Sequence, residues 1–171
     1  MAASATSAAA RAVLEACRRD GLTLVTAESC TGGLVAAAIT DIAGASDVFD
    51  RSFITYSNAA KSEMLGVPAG LIHDHGAVSA EVAGAMALGA LKAAHAGVAV
   101  AITGVAGPGG GSAAKPVGLV HFAVAVCDGR VNRIERRFGA LSRSTIRRKA
   151  VRTALALITE TLAGDTGIAM A

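Results

Sequence analysis

Three short runs in this sequence set reactive side chains beside backbone that can approach a ligand closely. In Glu28-Ser29-Cys30-Thr31-Gly32-Gly33 a hydroxyl and a thiol stand before a glycine pair. Glycine has no Cβ, so the N–H groups opening a following helix can come near an anion or a developing oxyanion. Ser29 and Cys30 are rival nucleophiles there, because a helix N-terminus lowers a thiol's pKa. The same turn equally fits a plain helix cap by Ser29 or Thr31. In the second run, Tyr56 precedes Ser57, and Lys61 lies four residues beyond Ser57, so a helix from Asn58 brings the last two together. A lysine acts as a base only where burial or neighbouring positive charge depresses its pKa, and otherwise it is a solvated surface charge. The third run, Gly104 to Ser112, is glycine-rich and follows a near-continuous apolar segment. It lacks the Gly-Lys-Ser/Thr of a P-loop and misses GxGxxG because position 112 is serine. Its place directly after a buried strand is what favours binding.

Other candidates are weaker. Arg143 stands before the last helix, where its charge opposes the positive end of the helix dipole unless an anion binds, and a phosphate resolves that conflict. The alternative is an arginine pointing into solvent. His73 and His75 flank Asp74 in an expected loop, but an HxH pair without a third placed ligand is no metal site, and no metal or cofactor is expected. Packing accounts for His95 and His121.

These residues need elements to position them. Ser7 to Asp20 reads as an amphipathic helix stopped by Gly21, and Leu22 to Ala27 as a strand. The Glu28–Gly33 turn leads into a helix striped by Leu34, Val35, Ala38, Ile39 and Ile42. Ser52 to Tyr56 reads as a strand, Asn58 to Leu65 as a short helix, and Ser79 opens an alanine-rich helix to about Ala94. Gly97 to Thr103 reads as a strand buried on both faces. Val117–Cys127 and Val131–Phe138 read as a hairpin about Asp128-Gly129, and Ser144–Leu162 as the last helix. The pattern predicts an α/β fold: a single-domain three-layer sandwich, with a mixed β-sheet carrying helices on both faces. Residues 1–171 are expected to form that one domain, with a core from about 7 to 163 and a flexible tail over 164–171. Open sheets of this kind bind ligands beyond the carboxyl ends of their strands, where the serine turn and the glycine run fall.

Composition bounds the class. With 171 residues, 53% hydrophobic and 17% charged, the chain has the balance of a folded domain and excludes disorder. Aromatics are 3% with no tryptophan, so stacking platforms for bare bases are missing. The net charge of +3 arises from basic residues between Arg130 and Arg152, read as a solvated face or an anion site; without a nucleic-acid motif beside them, no nucleic-acid partner is expected. The longest uncharged run, between Lys92 and Lys115, is broken by glycines and Pro108, so no membrane partner is expected either. The amino terminus lacks a secretion pattern, and Cys17, Cys30 and Cys127 suit neither a disulfide framework nor a CxxC pair. Reduced thiols and a cytoplasmic location follow. Exposed apolar faces on an alanine-rich chain suit a homo-oligomer, for which a dimer is the expectation.

Four segments together carry a family resemblance: Thr26-Ala-Glu-Ser-Cys-Thr-Gly-Gly33, Thr55-Tyr-Ser-Asn-Ala-Ala-Lys61, His75-Gly-Ala-Val-Ser-Ala-Glu81, and Thr103-Gly-Val-Ala-Gly-Pro-Gly-Gly110 continuing to Lys115-Pro-Val-Gly118. In order and spacing the chain resembles the CinA C-terminal domain family, which includes nicotinamide mononucleotide deamidases, over about Gly21 to Leu162. The resemblance implies hydrolysis of the carboxamide of nicotinamide mononucleotide to nicotinic acid mononucleotide and ammonia, by a metal-free serine/lysine dyad. It implies Ser29 as nucleophile and Lys61 as base, with Tyr56 and Thr103 orienting Lys61 or the amide. N–H groups near Gly32 or Gly104 are the implied oxyanion donors. Thr31, Gly32, Gly33, Ser46, Gly104, Gly107, Gly110 and Arg143 are the implied substrate-binding residues, Arg143 with the glycine run for the 5'-phosphate. Val105 and Gly109 depart from the isoleucine and the more polar residue common in relatives. The separate N-terminal domain of the family's large form is not expected here. A pyridine-nucleotide-binding or regulatory protein of the same fold is the alternative.

Overall fold

Alternating side-chain size along the central strands sets the architecture. In β3 (Val98–Gly104) and β4 (Leu119–Val126), Val98, Val100, Ile102, Val120, Phe122 and Val124 face one core cluster, while Ala99, Ala101, Ala123 and Ala125 face the other. The large face lies under α1 (Ala5–Asp20), α2 (Leu34–Thr40) and α6 (Arg143–Ala163). The alanine face lies under α3 (Asn58–Leu65), α4 (Ala69–His75) and α5 (Ala80–Ala94). The computed structural model describes residues 4–164. The remainder of the expected tail lies outside them, while Gly164 caps α6.

Over those residues, β1 (Leu24–Glu28), β2 (Phe49–Ile54), β3, β4 and β5 (Val131–Arg137) form one mixed sheet in the order β2-β1-β3-β4-β5. β2, β1 and β3 run parallel, and β4 is antiparallel to both β3 and β5. The three-layer α/β expectation is met. The chain leaves β1 through α2 on one face and returns through α3 to α5 on the other, so β1 and β3 flank a topological switch point. In open sheets the crevice outside the carboxyl ends at such a point is where ligands bind.

Serines start the helices. Ser4, Ser57, Ser79 and Ser142 accept from Ser7, Ala60, Val82 and Thr145 N–H, capping α1, α3, α5 and α6. The expected starts at Ser7 and Ser144 therefore move upstream, behind these caps. β2 begins at Phe49 rather than Ser52, because charged Asp50 and Arg51 on this exposed edge hide the alternation that marks a strand. The expected loop around His73 and His75 is α4, entered after Pro68 and ended at Gly76, which seats Ile72 in the alanine-face core.

Candidate active site

β1 delivers Ser29 to the carboxyl edge of the sheet. Its N–H donates to Ile102 O at 3.0 Å, extending the β1–β3 pairing by one residue. α3, anchored by the Ser57 cap, carries Lys61 in from the alanine-face layer. Lys61 is 1% exposed and Ser29 9%, and Lys61 Nζ lies 3.2 Å from Ser29 Oγ. The same nitrogen donates to Thr55 O at 2.9 Å, with Tyr56 O at 3.4 Å and Ser57 O at 3.5 Å. In its neutral form the amine has two N–H bonds, enough for two of these three carbonyls, and a lone pair that can accept the Ser29 proton. Burial pushes the Lys61 pKa below its ordinary 10.5, and no ion pair among the described residues holds the proton on. Removing water thus favours the form of lysine that can act as a base.

The mouth of α2 is already occupied. Glu28, fully buried, accepts from Gly33 N–H (3.0 Å), Val35 N–H (3.1 Å), Ala36 N–H (2.9 Å) and the Thr26 hydroxyl (3.2 Å). Gly32 N–H donates to Ser29 O at 3.1 Å. The N–H groups of Gly32 and Gly33 themselves thus have protein acceptors, which leaves other N–H groups near Gly32 or Gly104 for the expected oxyanion. Glu28 also meets the positive end of α2. Burial, the largest influence, pushes the Cys30 thiol up to about 11 despite its place beside that helix. Cys30 is thus a protonated core residue at neutral pH and not a thiolate rival to Ser29.

β5 ends at the same edge and hands the chain to α6, which brings two arginines over the crevice. Arg143 donates from Nη1 to Gly107 O and from Nη2 to the Tyr56 hydroxyl, both at 2.9 Å. Sequence reading set Arg143 ahead of the helix; it is the first residue of α6, tying the glycine run to the end of β2. Tyr56 meets Lys61 through its carbonyl, while its exposed ring faces Arg143. Thr103 is buried beside Ser29 in the strand order, but its hydroxyl donates to Ala77 O at 2.8 Å and not to Lys61. Gly104 is needed for close approach: a Cβ there would lie 2.7 Å from Val120 Cγ2 and 2.8 Å from Leu119 O. Gly107 (φ +73°) and Gly110 (φ +80°) shape the loop beyond it.

Ser46 is not brought to this site. It lies in the 3-10 turn Ala45–Asp47 ahead of β2, at the opposite edge of the sheet. The six residues of β2 put it about 20 Å from the dyad. Two residues that sequence reading did not single out belong here. Glu28 caps a helix from the preceding strand, and Arg147 donates to Cys30 O (3.1 Å) and Thr31 O (2.9 Å). Buried Thr31 Oγ1, Thr55 Oγ1 and His121 Nδ1 have no partner among the described residues. Buried polar atoms without partners are exceptions in folded proteins, and a ligand or bound water is one way to satisfy them.

No group of three or more His, Cys, Asp or Glu among the described residues is placed to hold a metal, and no helix is long and apolar enough to cross a membrane. The basic residues divide: Arg148, Lys149 and Arg152 stay exposed along α6, and the others are spread over the fold. Arg143 and Arg147 turn into the crevice, Arg130 and Arg137 pair with Asp128 and Glu135, and Arg133 lies against α5 at Gly84.

Fold and crevice together define a three-layer α/β protein with a hydrogen-bonded serine and buried lysine at its switch point. Residues 6–162 match the CinA C-terminal domain, and the chain belongs to that family. It is 54% identical over 135 residues to a protein of Enterobacter agglomerans named nicotinamide-nucleotide amidohydrolase PncC, covering 79% of this chain and 82% of that one. It is 53% identical over 142 residues to the Escherichia coli protein of the same name, covering 82% and 85%. Among solved structures, competence/damage inducible protein CihA from Agrobacterium tumefaciens superposes with a TM-score of 0.91 at 48% identity, over 94% of this chain and 98% of that one.

Proposed function

We propose that this protein hydrolyses the carboxamide of nicotinamide mononucleotide to nicotinic acid mononucleotide and ammonia, using Ser29 and Lys61, with residues 4–164 acting as one catalytic domain. The observation that carries the reading is the 3.2 Å contact between a buried lysine amine and a serine hydroxyl. Neutral Lys61 takes the Ser29 proton as Oγ bonds to the carboxamide carbon, and the C=O electrons move onto oxygen. The ammonium form of Lys61 then returns the proton to nitrogen as the C–N bond breaks, releasing ammonia and leaving an ester on Ser29. Water, activated by the same amine, opens the ester to the carboxylate. Arg143 and the glycine run around Gly107 and Gly110 are suited to the 5'-phosphate, for which Arg143 exchanges its present neutral acceptors for charged ones.

Ammonia release from nicotinamide mononucleotide by the purified protein tests this. Release is expected, with Ser29→Ala and Lys61→Ala each lowering kcat by at least about a thousandfold. Full rates in both variants, or tight binding of intact amide without turnover, would end the reading in favour of a nucleotide-binding protein. We further expect a homo-oligomer, read by sedimentation.

A further inference from the structure

The peptide units that follow Ser29 are gripped from the α6 side. Arg147 donates from Nε to Cys30 O at 3.1 Å and from Nη2 to Thr31 O at 2.9 Å. Across a trans peptide the carbonyl and the next residue's N–H point in opposite directions, so the bond to Cys30 O aims the Thr31 N–H away from the arginine. Among the described residues that N–H meets no acceptor, although Thr31 is fully buried, and Thr31 Oγ1 is unpartnered too. Of the donors that follow, Gly32 N–H is engaged on Ser29 O and Gly33 N–H on Glu28.

Buried backbone donors nearly always have acceptors. One that has none, two residues from a nucleophile and with its peptide plane held, is arranged for charge that appears only during reaction. Arg147 itself makes no ion pair among the described residues. Its charge rests on the carbonyls of this loop, and polarising the Cys30–Thr31 amide strengthens the N–H at its other end.

We propose that Arg147 is a positioning residue. By holding the Cys30 and Thr31 carbonyls it presents the Thr31 N–H to the oxyanion formed when Ser29 attacks a carbonyl. The inference rests on Ser29 as the nucleophile proposed above, but not on the identity of the amide.

Two readouts on Arg147→Lys and Arg147→Ala test it. In ammonia release from nicotinamide mononucleotide, kcat should fall at least about tenfold in both variants, with KM within about twofold. Added methylguanidinium should restore part of kcat in Arg147→Ala and none in the lysine variant. Labelling of Ser29 by an alkyl fluorophosphonate, whose P=O occupies the oxyanion position whatever the natural substrate, should slow by a similar factor. If the wild type releases no ammonia, the substrate reading fails while labelling still decides the role of Arg147. Labelling rates within about twofold of wild type in both variants overturn the proposal, as does absence of wild-type labelling. A loss that follows the folded fraction in a thermal melt overturns it too, and Arg147→Lys, which keeps the charge, guards against reading an unfolded alanine variant as support.

Discussion

Burial disfavours the charged form of Lys61, and pH should report it. Because burial lowers its pKa from 10.5, the base is available at less alkaline pH than for a solvent-facing lysine. The profile of kcat/KM should rise with pH along a limb that belongs to Lys61 and is missing from the residual rate of Lys61→Ala. The same shift has a stability consequence. Between the lowered value and 10.5 the unfolded chain holds a proton that the folded chain has released, so the contribution of Lys61 to stability rises with pH across that window. Melting curves of Lys61→Met should show its largest gain, or smallest loss, relative to wild type on the acid side of the window, shrinking or deepening respectively toward pH 10.5. A constant difference would contradict the assignment. The cysteines give an independent check. Cys30 and Cys17 are buried, with thiols pushed up to about 11 and about 12, whereas Cys127 is exposed. Iodoacetamide at neutral pH should therefore alkylate Cys127 alone in the native protein, and all three after denaturation, counted by intact mass. At this scale the serine turn and the lysine were legible because their motifs are local. Arg147 was not, since nothing in a run of similar basic residues says which one the docking of α6 turns onto the loop after Ser29.

The elements that carry the dyad are held by contacts a propensity scale would misjudge. Gly89 in α5 abuts α3: a Cβ there would lie 2.0 Å from Leu65 O. Gly89→Ala raises helix propensity by about 1 kcal/mol yet should destabilise by about 1–3 kcal/mol, because α5 must move off the helix bearing Lys61. Gly70 in α4 faces open space, and Gly70→Ala should stabilise by up to about 1 kcal/mol. Chemical denaturation of the pair checks both signs. Glu28→Gln should cost about 1.5–3 kcal/mol, because the neutral amide replaces a carboxylate that accepts three helix N–H groups. Serine caps and the glycine stops at Gly21 and Gly66 follow patterns a sequence displays, which is why α3 and α5 lie where expected. A glutamate reaching forward from a strand to cap the next helix follows none, and neither does a charged edge strand such as β2.

Across the whole molecule the candidate site is assembled from three layers: Ser29 from the sheet, Lys61 from the α3–α5 side and the arginines from α6. The layers were readable from hydrophobic periodicity and the crevice from where the glycines fall. The distance of Ser46 from that crevice was not, because position along the chain does not reveal which edge of a sheet a loop joins. The sheet's two faces should also respond differently to added volume. Ala101→Val, on the alanine face, should destabilise by about 1–3 kcal/mol, whereas Ile102→Leu on the other should cost less than about 1.5 kcal/mol, both read by denaturation midpoints.

The alanine carpet beneath α5 has a bearing on how such a protein can change. Methyl-sized floor residues let the overlying α5 sit low, and Lys61, on the α3 that packs against it, is lowered with it toward the Ser29 hydroxyl. Every bulkier residue introduced there jacks up the layer that holds Lys61. Sequence drift and thermostabilising design alike should therefore accumulate on the side of α1 and α6, leaving the opposite floor small for as long as the Ser29–Lys61 contact is kept.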